Sequence, residues 1–192
     1  LRYRYHHGVN LGSVYVLEKW LTASAFPPDA PEDATSELTC VMTWVKKVGA
    51  QETQKKFEER WFKAMSEEDW KWLTWEAKAT TIRLPIGYFT LGPDFVKGTP
   101  FEQYGEVYKN GWATVKKFIA TAHEKGVGVL VDLHALPGGA NAAEHSGTNS
   151  RAIKFWDDTA NLDLAVKCLV FIAKETKDLP GVIGIQVVNE AE

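Results

Sequence analysis

Val182-Ile183-Gly184-Ile185-Gln186-Val187-Val188-Asn189-Glu190 is a short apolar run that ends in an amide and a carboxylate. It is rich in β-branched residues and follows Pro180 and Gly181, so it reads as a buried parallel strand over residues 182–188. Such a strand delivers Asn189 and Glu190 to its C-terminal end, where α/β folds assemble their sites. Glu190 is therefore a candidate proton donor at a catalytic mouth.

Working outward, three further apolar strand candidates occupy residues 7–11, 81–86 and 127–133. Helical patterns separate them. Residues 67–78 open on Ser66 with Asp69 three positions on, like a capping box; residues 111–125 end at Gly126; residues 162–175 precede the last strand. The resulting order β-α-β-α-β-α-β specifies parallel strands joined by right-handed crossovers. The first crossover is long, because residues 21–65 hold a proline-rich excursion (Pro27, Pro28, Pro31) and extra helical segments, and such insertions shape a cleft at the site-bearing face. Four strands occupy all 192 residues, whereas a complete eight-stranded barrel takes about 250. The fold expected is α/β, strands one to four of a TIM (β/α)8 barrel, with residues 1–192 as the N-terminal half of one domain. The C-terminal half would be a continuation of the chain or a second chain. A doubly wound sheet is the alternative, disfavoured because no G-x-G-x-x-G follows strand one and no helix follows strand four.

Composition narrows the class of partner. The chain is 45% hydrophobic and 24% charged with a net charge of -3, which gives no electrostatic reason to expect nucleic acid or an anionic membrane. A neutral substrate follows more naturally. No stretch has the length of a membrane span, and Asn-X-Ser/Thr is absent, a lean toward an intracellular or unglycosylated protein that Leu1, not an initiator Met, weakens. Cys40 and Cys168 each sit in an apolar helix-like stretch and read as buried free thiols.

At the strand ends stand Asn10 and, a few residues later, Glu18; then Arg83; then Asp132 and His134; then Asn189 and Glu190. Arg83 inside an apolar strand demands a partner for its charge, most simply a carboxylate. It suits either a substrate site or a core ion pair. Strand alternation puts Asp132 and His134 on one face, where Asp132 could orient an imidazole that serves as a substrate donor, a metal ligand or a packed core residue. The five histidines show no H-E-x-x-H or other ligand spacing, so no metal and no cofactor is expected. Residues 136–147 are glycine-rich but lack the Gly-Lys-Ser/Thr ending of a phosphate loop, and read as a backbone-exposing loop over a cleft. Trp61, Trp70, Trp72 and Trp75 fall in helical stretches and are assigned to core packing. Arg83, His134, Asn189 and Glu190 should share one cleft, with Glu18 at its rim.

Gly8-Val-Asn-Leu-Gly12 followed by Val16-Leu-Glu-Lys-Trp20, then Ile82-Arg-Leu-Pro-Ile-Gly-Tyr88, then Val131-Asp-Leu-His-Ala-Leu-Pro-Gly-Gly-Ala-Asn141, then Val187-Val-Asn-Glu190, resemble glycoside hydrolase family 5, and within it the fungal exo-β-1,3-glucanase group. Each motif alone is weak, but four in register are specific. The resemblance implies a retaining (β/α)8 enzyme acting on a β-glucan or β-glucoside, with an acid/base glutamate after strand four and a nucleophile glutamate after strand seven. It makes Glu190 the acid/base, Asn189 its neighbour on the sugar 2-hydroxyl, and Arg83 and His134 the site residues of strands two and three. Glu18 matches a substrate-contacting glutamate of the glucanases. Ala191 stands where the family commonly has proline, and the nucleophile lies outside residues 1–192. The alternative reading is a non-catalytic carbohydrate-binding relative.

Overall fold

The computed structural model describes residues 6–192. Its regular elements are β1 (Gly8–Asn10), α1 (Glu37–Phe62), α2 (Glu67–Lys71), β2 (Thr81–Gly87), α3 (Gly111–Glu124), β3 (Gly128–Ala135), α4 (Thr159–Thr176) and β4 (Val182–Gln186), with short 3-10 turns in the loops. The strands form one parallel sheet in the order β1-β2-β3-β4. Asn10 lies opposite Arg83, Pro85 opposite Asp132 and Asp132 opposite Gln186, so the polar residues occupy two rows of the sheet, Asn10 and Arg83 in one and Asp132 and Gln186 two residues further along.

Alternation along the strands sorts the side chains. Ile82, Leu84 and Ile86 of β2 and Val129, Val131, Leu133 and Ala135 of β3 are fully buried in the core shared with the helices. Each large side chain among them stabilises the fold by about 1.5–3 kcal/mol through burial. The intervening positions Arg83, Asp132 and His134 face the other way, with Gln186 of β4 beside them. Helix α3 closes the β2–β3 crossover and ends where Gly126 adopts a left-handed conformation (φ 78°).

Three expectations need correction. The last strand stops at Gln186 rather than residue 188, because the Gln186 side chain donates to the Val188 carbonyl (3.0 Å) and Val187 turns outward. The helix over residues 67–78 starts as expected, with Ser66 and Asp69 exchanging cap hydrogen bonds, but is α-helical only to Lys71 and continues as a π-turn over Trp72–Glu76. Trp61 and Trp70 pack in the core, whereas Trp72 and Trp75 are 59% and 72% exposed. One helix cannot bury every face: Trp72 lies about 200° around the α-helical axis from Trp70, on the opposite side, and the π-turn that follows carries Trp75 outward as well.

The excursion between β1 and β2 holds α1, which is broken at Gly49 (φ 81°), so its second arm returns beside the loop that follows β1. Cys40 on α1 and Cys168 on α4 are buried and free. Among the described residues no helix is long and apolar enough to cross a membrane. At the sheet margins β1 is exposed and β4 half-buried, and neither has a ladder partner on its outer edge among the described residues.

Candidate active site

Arg83 is the hub of the interior face. Its Nε donates to Gln186 Oε1 (2.8 Å), Nη1 to Asn10 Oδ1 (2.7 Å) and Nη2 to Asn189 Oδ1 (2.7 Å), while Nη2 also pairs with Asp132 Oδ2 (2.8 Å). One guanidinium thus ties its own strand to β1, β3 and the end of β4. The carboxylate that a half-buried arginine in an apolar strand requires is Asp132, which is wholly buried. Asp132 also fixes His134: its Oδ2 lies 2.6 Å from His134 Nδ1. Asp132 meets Nη2 as an ion pair, and its 2.6 Å contact with His134 Nδ1 requires a hydrogen between the two atoms, which makes the 3.5 Å approach of Nη2 to His134 Nδ1 a contact between donors. His134 therefore carries its proton on Nδ1 and offers Nε2 as an acceptor, 3.5 Å from Asn189 Nδ2.

The end of β4 is held from the loop after β3. Asn141, itself buried, donates through Nδ2 to the Glu190 carbonyl (3.0 Å) and accepts at Oδ1 from Ala143 N–H (3.0 Å). Glu190 has a left-handed backbone (φ 42°), unusual for a residue with a side chain, and such conformations persist only where surroundings impose them. Its carboxylate is 67% exposed and meets His145, whose Nε2 is 3.3 Å from Glu190 Oε2.

Glu18 is reached from the other side. Ser13 Oγ accepts from Glu18 N–H (3.0 Å), and the loop passes antiparallel to Ser36. The Glu18 carboxylate accepts from Trp20 Nε1 (3.0 Å) and stands 3.8 Å from His145 Nδ1, an ion-pair distance rather than a hydrogen bond. Burial works to raise the Glu18 carboxyl, but His145 and the Trp20 hydrogen bond outweigh it and hold the group below its ordinary value. Conversely, Glu18 raises His145 against the opposing effect of burial, with Glu190 and Glu144 adding to the rise.

Arg83, His134 and Asn189 are therefore brought into direct contact. Glu190 follows at the open side, linked to Glu18 through His145. Glu18 sits deeper than the rim position expected, with a side chain only 12% exposed. Asn141 and His145 escaped the sequence reading, since a glycine-rich loop has no period to mark which polar residue turns inward. Among the described residues no group of three or more His, Cys, Asp or Glu is placed to hold a metal ion.

A family model described as Cellulase (glycosyl hydrolase family 5) matches residues 45–191. The chain belongs to glycosyl hydrolase family 5. It is 36% identical over 189 residues to glucan 1,3-beta-glucosidase 3 of Schizosaccharomyces pombe, covering 98% of this chain and 40% of that protein. It is 33% identical over 196 residues to an uncharacterised glycosyl hydrolase of Saccharomyces cerevisiae, covering 99% of this chain and 39% of that one. The chain thus spans about 40% of the length of these curated relatives. The crystal structure of rutinosidase from Aspergillus niger superposes with a TM-score of 0.75 at 16% identity, over 99% of this chain and 50% of that chain. The fold of this family 5 chain is α/β, strands one to four of a TIM barrel.

Proposed function

We propose that the complete polypeptide carrying this chain is a retaining β-glucosidase or glucanase, acting most naturally on β-1,3-glucan, with Glu190 as general acid/base and the nucleophile glutamate on a strand beyond residue 192. Residues 1–192 form the N-terminal half of a single barrel domain in this reading, completed by a continuation of the chain or by a second chain. The observation that carries it is the 2.7 Å hydrogen bond from Arg83 to Asn189, which fixes the residue before Glu190 on the strand-end cluster of Asp132 and His134. The substrate class is supported by the name of the fission yeast relative.

A retaining hydrolase sets two carboxyl groups about 5–5.5 Å apart, one to attack the anomeric carbon and one to protonate the leaving oxygen and then deprotonate water. Glu190 must hold a proton when substrate binds, a state favoured by repulsion from an ionised nucleophile. Arg83 supplies the positive charge that keeps such a nucleophile ionised. Asn189 has its Oδ1 committed to Arg83 and one amide proton facing His134 Nε2, so its other amide proton remains to donate, and a bond to the sugar 2-hydroxyl strengthens as the ring becomes oxocarbenium-like. Glu18 and His134 complete the substrate-binding set.

Glu190→Gln in the complete polypeptide tests the assignment. It should lower turnover of a natural β-glucan by about 100-fold or more, the range of a lost general acid, while sparing the first step on an aryl glucoside whose leaving group needs no proton. Glu192 is the control, since it is tied instead to Ala140 through its backbone (3.2 Å). Full activity of Glu190→Gln on the glucan overturns the assignment, and loss of activity on Glu192→Gln alone transfers it.

A further inference from the structure

His145 stands between two carboxylates that come from opposite sides of the site. Glu18 arrives on the loop after β1 and Glu190 from beyond β4, and the imidazole, itself only 13% exposed, faces the first with Nδ1 and the second with Nε2. Its ring also packs edge-on against His134 (centroids 5.1 Å apart, 61° between planes). The backbone beneath it is fixed. Ser146 Oγ donates to the Ala143 carbonyl (2.7 Å), Leu38 N–H to the Gly147 carbonyl (3.0 Å), and Thr35 Oγ1 to Glu144 Oε1 (3.2 Å). Gly147 is left-handed (φ 93°), and a Cβ there would come within 2.9 Å of the Phe89 ring. The loop is thus pinned to α1 on one side and to β2's turn on the other, and His145 is presented in one place.

Neither contact is a hydrogen bond: Nδ1 stands 3.8 Å from Glu18 and Nε2, buried and without a hydrogen-bond partner among the described residues, 3.3 Å from Glu190, so only the charge of an imidazolium, with an N–H toward each side, pairs with both carboxylates. We propose that His145 is a positioning residue for Glu190, an imidazolium that couples Glu18 to Glu190 and holds the Glu190 carboxylate at the pocket during turnover. The proposal rests on the reading of Glu190 as acid/base. In the first step Glu190 gives its proton to the departing glycosidic oxygen and is left as a carboxylate paired with His145. In the second it takes a proton from the attacking water. His145 keeps its own proton throughout, so no group beyond substrate and water enters the balance. The groups that face His145 are Glu18, Glu190, Glu144 and His134, with the Arg83–Asp132 pair behind His134.

The test uses the complete polypeptide with His145→Gln, which retains hydrogen-bonding capacity but carries no charge. Removing a cation that favours the deprotonated carboxylate should move the alkaline limb of kcat/KM to higher pH by about one unit, the size of one charge near 4 Å in a largely aqueous setting. Loss of anchorage should lower kcat more than it changes KM. Should His145→Gln not fold, a second measurement leaves His145 in place: NMR titration of 15N-labelled histidines in wild type and Glu190→Gln. The His145 titration should fall to lower pH once the Glu190 charge is gone. A His145→Gln profile superimposable on wild type overturns the proposal, as does a His145 titration unmoved by Glu190→Gln. Full glucan activity of Glu190→Gln removes the acid/base reading instead, a result the NMR titration does not depend on.

Discussion

Arg83 shows why residue type matters as much as charge at this site. Its planar fork reaches Asn10, Asp132, Gln186 and Asn189, contacts a single ammonium cannot reproduce. Arg83→Lys keeps the charge near Asp132 but releases Asn189, and with it the backbone that presents Glu190. We expect kcat/KM on a β-glucoside to fall about 100-fold, the cost typical of an ångström-scale misplacement, with little change in stability. Arg83→Met removes the charge as well and leaves Asp132 buried and uncompensated, which should destabilise the fold by about 3–5 kcal/mol. Urea unfolding alongside steady-state kinetics separates the two effects. Equal stability losses in both variants would mean that the fork, not the charge beside Asp132, is what holds the fold together here, and would overturn the expected separation. At this scale the sequence was readable wherever a residue sat in a strand: an arginine among apolar neighbours implied a carboxylate, and alternation put Asp132 and His134 on one face. His145 and Asn141 were not readable, because their direction is set by a loop path and not by a repeating pattern.

The loop after β1 depends on an element packed far from the chemistry. Glu37, in the first turn of α1, is wholly buried; its Oε2 accepts from Leu17 N–H and its Oε1 from Tyr108 Oη, both at 2.8 Å. Leu17 immediately precedes Glu18. Arg60 on the second arm of α1 donates to the Ser13 carbonyl of the same loop. Burial pushes the Glu37 carboxyl up to about 7 from 4.5, against the Tyr108 and Leu17 hydrogen bonds and the charge of Arg60. A carboxyl whose folded value exceeds its unfolded one binds more protons in the folded state between the two. Its contribution is full below about pH 4.5 and is lost as pH rises through about 7. The stability of the wild type relative to Glu37→Gln should therefore fall across that window by about 3 kcal/mol, an order-of-magnitude figure. Unfolding midpoints of both proteins at a series of pH values check this, and a difference that does not vary with pH counts against it. Elements were legible where period and caps agreed, as in Ser66–Asp69 and Gly126. The π-turn at Trp72–Glu76 was not, since five-residue bonding leaves no signature in an apolar pattern, and the four tryptophans could not all face one core.

Across the whole molecule, hydrogen bonding at the sheet margins argues for more strands. The outer edges of β1 and β4 present backbone groups with no ladder partner among the described residues, and Val187 just beyond β4 is 56% exposed. Unpaired parallel edges and a half-covered apolar face are unfavourable in water, and closure into a barrel removes them. Arg83 points the same way. It gathers four strands onto one interior face, but Asp132 Oδ1 at its centre is buried without a hydrogen-bond partner among the described residues, an acceptor that a further interior side chain would satisfy. If residues 1–192 are half of one domain, the β4 amides should exchange with solvent at least tenfold more slowly in the complete polypeptide than in the isolated chain, about 1.4 kcal/mol of added local protection. The β2 and β3 amides, already flanked on both sides, should change far less. Hydrogen exchange read by mass spectrometry on both proteins distinguishes the outcomes. Identical β4 protection would show the four-stranded sheet to be self-sufficient and would set the half-barrel proposal aside, whereas uniform loss of protection through β2 and β3 in the isolated chain would show that even the central strands need the rest of the barrel to hold.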